Sequence, residues 1–272
     1  MWLRLIVVEV RMRLHVRRWL WAAVFLGLYA FYRAFQAFQL HLGSEQTLTV
    51  WQIVAEIFMG PTPRPSVFAV MEWVSLPAAF ILAMGEPFSL FSAPRERMML
   101  VRMPNRLYYW TGKITAWLLA GFFFCLLAFS LAAVTTLVSF SQTNLWVLPS
   151  GIVLGDRFVL GPSLFVLAWV FLGVLAAVWY YTITMFVLSA AIKQPGMATV
   201  LTIFASCFIT VAAGSFSPAI PFFGPAVGAV LAAQAFGQAI AGASFFAPGL
   251  ILILWLVIGW VGGYRLFRDR LF

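Results

Sequence analysis

The sequence predicts an all-α membrane protein with six transmembrane helices. Of its 272 residues, 64% are hydrophobic and only 9% are charged, whereas a soluble domain carries about 25% charged residues. The mean hydropathy of +1.00 is spread over the chain in apolar runs long enough to span a bilayer as helices. Strands of transmembrane barrels are shorter and alternate in polarity, so these runs favour helices.

Residues 1–18 are predicted to form an amphipathic interface helix. From Val8 to Arg17 apolar and polar residues alternate, as in a strand, but apolar residues also recur at helical spacing. Glu9 and Arg13 stand four apart and would pair on a helix, whereas a lone strand beside a bilayer would leave its edges unpaired. We therefore expect a helix on the cytoplasmic surface, with its arginines toward lipid phosphates.

Residues 19–272 are predicted to form one six-span transmembrane domain. The predicted spans are 19–38, 67–91, 109–138, 163–192, 197–214 and 248–264. Twenty residues in a helix cover the roughly 30 Å hydrocarbon core. Pro77 predicts a kink in the second span. Residues 39–66 are predicted to be an outer segment with a loop signal from Gly60 to Pro65, and residues 139–162 an outer loop.

The segment 215–247 before the last span is uncharged but broken by Pro218, Pro221 and Pro225. Its middle, 226–243, is long enough for a helix and could count as a further span. That reading would place the C-terminal arginines on the outer side. We therefore predict a re-entrant helical hairpin on the outer side instead.

The pattern of charges predicts a protein of the cell membrane with both termini in the cytoplasm. The net charge is +9, and the 17 basic residues flank apolar runs in short groups. On the predicted topology all of them are cytoplasmic except Arg33, Arg64 and Arg157, as the positive-inside rule requires. Membrane lipids are thus expected partners, and nucleic acid is excluded because no soluble domain is left to bind it.

The sequence contains no recognisable catalytic constellation. His15 and His41, the only histidines, fall on opposite sides of the predicted membrane, which argues against a metal site or a histidine-based triad. Gly112-Lys113 is not a P-loop, because Leu107 stands where the first glycine is needed and Ile114 follows the lysine. We expect no enzymatic activity, no cofactor, no metal and no ATP site in this chain.

Three ionisable residues lie within or beside the predicted spans and are candidates for a substrate path. Arg33 and Glu72 are expected near the outer end and Glu86 near the inner end. An ionisable group in a span is by default a functional hypothesis, and Glu72 or Glu86 could bind a cationic group or pair with Arg33. The alternative is that the acids lie at interfaces and that Arg33 snorkels. In the last span, Gly259 and Gly263 have the spacing that lets helices approach closely.

The longest charged interruption between apolar runs is residues 86–113. It contains, in order, a group of charges, a short amphipathic stretch, a proline, two polar residues and a Gly-Lys pair. These are Arg95-Glu96-Arg97, Met98 to Met103, Pro104, Asn105-Arg106 and Gly112-Lys113. This order resembles the cytoplasmic segment of ABC-2 type transporter permeases, the membrane subunits of type-2 ABC exporters. Met98-Met99 departs from the Gly-Thr usual in that family.

The resemblance implies a homodimer or heterodimer of such subunits, bound to cytoplasmic P-loop ATPase subunits and moving a substrate outward. It implies a coupling segment, 92–108, whose contact residues would be Arg95, Glu96, Arg97, Arg102, Pro104, Asn105 and Arg106. The aromatic-rich spans favour an amphiphilic or lipid-linked substrate. The alternatives are an ATP-independent six-span carrier or channel, or an integral membrane lipid-modifying enzyme.

Overall fold

The structure of the protein is a computed structural model. The described residues are 2–13, 16–41, 49–58, 67–85, 87, 105–140, 151–154, 157–160, 163–192, 196–205 and 246–270. They form eight helices and one two-stranded hairpin: α1 (Trp2–Arg13), α2 (Val16–His41), α3 (Val50–Phe58), α4 (Val67–Met84), α5 (Arg106–Ser139), β1 (Gly151–Leu154), β2 (Arg157–Leu160), α6 (Ser163–Ala191), α7 (197–205) and α8 (Phe246–Arg270).

Helix α5 is the one around which the others pack. It contacts α1, α2, α3, α4, α6 and α8. Trp117 and Phe124 of α5 are fully buried, together with Phe80 of α4. The Phe80 ring lies 6.3 Å from Trp117, edge to face, and 5.3 Å from Phe124. Aromatic pairs in such tilted arrangements add about 0.5–1.5 kcal/mol each beyond the area that they bury, so this cluster helps to fix how α4 sits on α5.

Helices α2 and α5 run in the same direction. The ring of Trp19, near the start of α2, is 6.2 Å from Phe124, and the ring of Phe38, near its end, is 4.8 Å from Phe140. Contacts that advance together along both helices require parallel axes. This is the relation expected for the first and third spans of a membrane protein.

Helices α4, α6 and α8 run in the opposite direction. Trp19 of α2 and Phe80 of α4 both contact Phe124, whereas Arg33, later in α2, contacts Glu72, earlier in α4. On α5 and α6, Trp110 contacts Phe186 whereas Phe129 contacts Phe171, so the contacts advance in opposite senses. On α6 and α8, Tyr180 stacks on Trp255 at 5.2 Å, and Ile183, the next turn of α6, meets Gly259, the next turn of α8. Helix α8 therefore runs parallel to α6.

Two helices of the described residues are long and apolar enough to cross a membrane. They are α5 over its full length and the part of α6 from Val170 to Ala191. The apolar part of α4, Met71–Met84, is shorter. The sequence-based prediction of a helical protein is confirmed for the described residues, with one hairpin as the exception.

The predicted outer loops contain structure that the sequence reading missed. Helix α3 lies within the expected loop 39–66, and all its residues except Trp51 are buried. It contacts α2, α5 and α6. The expected loop 139–162 contains the antiparallel hairpin in which Gly151 faces Leu160. Neither element was predicted, because short elements produce no long apolar run. The loop signal from Gly60 to Pro65 lies outside the described residues.

Several predicted boundaries also differ. Helix α1 ends at Arg13 rather than residue 18. Helix α4 ends at Met84 rather than residue 91, because Gly85 takes a φ of 72° and its N–H caps the carbonyl of Ile81 at 2.8 Å. Helix α8 continues through the predicted tail to Arg270. The predicted hairpin 215–247 lies outside the described residues except for its last two, which already belong to α8, and so does span 5 beyond residue 205.

Candidate functional site

One end of the helical bundle gathers basic residues. Helix α5 begins there and α6 and α8 end there, whereas α2 begins beside the middle of α5, where Trp19 contacts Phe124. The arginines of these helices at this end are the half-buried Arg106 and the exposed Arg265 and Arg268, and the exposed Arg17 and Arg18 lie farther along the bundle, at the start of α2. We call it the basic end. The chain also leaves α4 at Gly85 and enters α5 at Arg106 on this side.

Lys113 lies inside the bundle, about two turns into α5 from the basic end. Although it is a lysine, its side chain is only 1% exposed. Its Nζ donates a hydrogen bond to Tyr109 Oη at 2.9 Å and lies 3.8 Å from Glu9 Oε1. The same Nζ is 5.1 Å from the centroid of the Tyr109 ring. A buried ammonium is costly unless it is paired and hydrogen-bonded. Glu9 and Tyr109 together explain how this charge is accommodated.

Helix α1 supplies Glu9 from a buried face. Leu5, Ile6 and Glu9 are buried, whereas Arg4 and Arg11 are exposed. Residues four apart share a helix face, so the leucine and the carboxylate turn together toward α5. The predicted amphipathic helix is thus present, but its apolar face packs against α5. The expected pairing of Glu9 with Arg13 falls on a side chain outside the described part of the chain.

Helix α8 contacts the same part of α5 through aromatic rings. Phe267 is 1% exposed and stacks on Tyr109 at 5.9 Å with an interplanar angle of 15°. The indole of Trp110 donates a hydrogen bond to the carbonyl of Trp260 at 3.2 Å. We refer to Glu9, Tyr109, Lys113 and Phe267 as the Lys113 cluster. It joins α1, α5 and α8 at the basic end.

The two predicted close-approach glycines of α8 lie at helix contacts. A Cβ at Gly263 would stand 2.7 Å from the Trp110 ring, and one at Gly259 would overlap Ile183 of α6. A distance of 2.7 Å is shorter than real Cβ atoms show, so only glycine fits there without a shift. The small-residue spacing therefore serves the packing of α8 on α5 and α6.

Of the predicted ATPase-contact residues, the structure describes Asn105 and Arg106. Asn105 caps α5: its side-chain Oδ1 accepts a hydrogen bond from the Leu107 N–H at 2.8 Å. This satisfies one of the free amides at the helix start, so Asn105 has a structural task of its own. The remaining residues of the set lie outside the described part of the chain: Arg95, Glu96, Arg97, Arg102 and Pro104.

The structure brings Arg33 and Glu72 together toward the opposite end. Arg33 Nη1 lies 3.4 Å from Glu72 Oε1 and donates to Gln36 Oε1 at 3.1 Å, while Nη2 donates to the backbone carbonyl of Glu56 at 3.4 Å. The Arg33 and Glu72 side chains are 26% and 25% exposed. The guanidinium is thus held by groups of α2, α3 and α4 rather than by the interface alone. Glu86 lies outside the described residues.

Helix α3 adds polar groups that the sequence reading did not single out. Gln52 and Glu56 are 5% and 8% exposed and stand four apart, one turn from each other on the same face. The sequence signal for this helix is the four-residue spacing of Gln52 and Glu56 within an otherwise apolar run of nine residues. The backbone carbonyl of Glu56 accepts the hydrogen bond from Arg33, so this helix contributes to the polar contacts of the guanidinium.

The described residues hold no group of three or more histidine, cysteine, aspartate or glutamate side chains that could bind a metal ion. Comparison of the sequence with models of known protein families gives no match, and comparison with curated proteins gives none either. Three features of the described residues are therefore the candidates for function: the basic end, the Lys113 cluster and the Arg33–Glu72 pair.

Proposed function

We propose that the chain is the membrane-spanning permease subunit of an ABC exporter, in which a separate cytoplasmic ATPase drives the outward movement of an amphiphilic or lipid-linked substrate. The observation that carries the proposal is the Lys113 cluster. It ties the N-terminal helix, the start of α5 and the end of α8 together at the end where the coupling segment enters α5.

The proposed topology has six spans, with the basic end in the cytoplasm. Support comes from the alternation of helix directions, with α2 and α5 opposed to α4, α6 and α8, and from the gathering of arginines at one end. Parallel α6 and α8 are what a single intervening span would produce. Helix α7 is the beginning of that span in the proposal.

A force applied at the basic end would reach several spans at once. An ATPase that moves α1 displaces Glu9, and Lys113 and Tyr109 carry that displacement into α5 because all three are tightly buried. Phe267 carries it into α8. Such a shared contact lets a partner bias a membrane domain between two arrangements, which is what coupling requires.

An ATP-independent carrier is the second candidate, and the Arg33–Glu72 pair favours it. A charged pair among spans is where carriers bind ions and polar substrates. The two functions differ in whether a P-loop ATPase is bound. The pair serves as part of the substrate path in either case.

Charge reversal in the coupling segment tests the proposal. The variant Arg97→Glu with Arg102→Glu should lose ATPase subunits from the tagged chain. The control variant Arg17→Glu with Arg265→Glu removes as much positive charge from the proposed cytoplasmic side and should retain them. Both are purified from the same membranes at matched expression, and ATPase is quantified per chain. Equal retention by the two variants would remove the coupling segment from the proposal.

A further inference from the structure

A groove of about 490 Å³ opens between α2 and α4. Its floor is made of small side chains, among them Ala22, Ala78 and Ala83, which are all buried. Trp21 and Leu82 form its rim and are 71% and 61% exposed. The groove therefore exists because alanines of two neighbouring helices face each other, and it opens to the outside of the bundle.

The groove is polarised along its length. Arg18 is exposed at the end of the groove nearer the basic end, and Phe25 and Ser75 lie at the other end of the groove. Seven residues of helix separate Arg18 from Phe25, a length of about 10 Å. No acidic residue lines the groove within the described part of the chain. The arrangement is a cation followed by an apolar channel.

That arrangement matches one class of molecule. A membrane phospholipid with a net negative head group presents a phosphate at the interface and an acyl chain below it. Guanidinium binds phosphate with two parallel hydrogen bonds, and an apolar trough open to the bilayer is filled by a lipid chain. A zwitterionic lipid fits the trough equally but gains less from Arg18.

We propose that the α2–α4 groove binds an anionic phospholipid of the leaflet at the basic end, with its phosphate on Arg18 and one acyl chain along the alanine floor. The proposal rests on the part of the proposed function that embeds α2 and α4 in the membrane, and it is independent of any ATPase. Arg17, adjacent to Arg18 and also exposed, does not line the groove and supplies a matched control.

The test is native mass spectrometry of the purified full chain, released from nanodiscs of phosphatidylglycerol and phosphatidylcholine in equal amounts. Arg18→Gln should lower the phosphatidylglycerol retained about fivefold, as expected for one basic residue at an anionic surface, with phosphatidylcholine unchanged. Arg17→Gln should change neither. Ala79→Trp, and its milder form Ala79→Leu, fill the groove and should lower retention of both lipids.

Three results would overturn the site. Equal effects of Arg17→Gln and Arg18→Gln would reduce the selectivity to general surface charge. Unchanged lipid retention in both Ala79 variants would show that the groove does not bind lipid. A shift from dimer to monomer in the Ala79 variants, with lipid selectivity intact, would assign the groove to a second copy of the chain. ATPase association measured on the same samples separates failure of this site from failure of the proposed function.

Discussion

Lys113 is the residue whose environment departs furthest from its sequence reading. The sequence predicts Lys113 to be one of the charges of a cytoplasmic stretch, yet its side chain is buried between Glu9 and Tyr109. No local pattern reveals this, because the carboxylate that balances Lys113 comes from α1, far away along the chain. A lysine shortly after the start of an apolar run looks the same whether it faces water or a buried carboxylate.

A double-mutant cycle tests the Glu9–Lys113 pair. Lys113→Met removes a buried cation 3.8 Å from the buried Glu9 carboxylate and should destabilise the fold by about 3–5 kcal/mol. The double variant Glu9→Leu with Lys113→Met replaces the pair by apolar groups and should recover most of that loss. The measurement is unfolding of the purified chain in detergent. Costs that simply add would contradict a coupled pair.

Arg11→Gln is the control for this cycle. Arg11 lies on the same helix as Glu9 but is exposed, so its neutralisation should change the unfolding free energy by less than about 0.5 kcal/mol. An effect of Arg11→Gln as large as that of Lys113→Met would indicate that the overall charge of α1 matters rather than the buried pair.

Long helices were the most predictable elements. The apolar runs that became α5 and α6 were located correctly from length and hydropathy, since a span must be continuous to satisfy its backbone. Helix α3 and the hairpin were not, because they fall between runs and are stabilised by tertiary contacts rather than by local pattern. The end of α4 depends on one glycine with positive φ, a feature that hydropathy does not register.

Two adjacent glycines of α8 give a matched test of helix packing. Gly263→Ala places a methyl group 2.7 Å from the Trp110 ring, whereas a methyl group at Gly262 meets nothing within 4 Å. Gly263→Ala should therefore destabilise the fold by about 1–3 kcal/mol, as overpacking does, and Gly262→Ala should be neutral or stabilising. Unfolding in detergent provides the measurement. Equal effects would contradict the close packing of α8 on α5.

At the scale of the whole molecule, the predicted topology stays a prediction. Among the residues that the structure describes, Arg106, Arg265 and Arg268 lie at one end of the bundle, and Arg17 and Arg18 lie at the start of α2. The coupling residues could be proposed from a resemblance in the order of motifs, but their contacts depend on a partner that the sequence does not contain. The Arg33–Glu72 pair could be predicted in part. Both residues are candidates from the sequence, but their contact depends on how α2 packs on α4.

The proposed topology predicts a pattern of thiol labelling. In a chain with Cys125→Ala and Cys207→Ala, cysteines introduced at Arg17 and Arg265 should react with a membrane-impermeant maleimide only after the cells are permeabilised. A cysteine at Ser139, exposed at the end of α5, should react in intact cells. Labelling of Arg17→Cys and Arg265→Cys from opposite sides would contradict the placement of both termini in the cytoplasm.

We propose that this chain transmits work done by a separate ATPase. This is tested by purifying the tagged chain from its native membranes into lipid nanodiscs and quantifying bound subunits and ATP hydrolysis. We expect one P-loop ATPase without membrane spans per permease chain, and hydrolysis that depends on the complex. Intact dimeric or monomeric chain recovered repeatedly in lipid with no ATPase and no hydrolysis would contradict it.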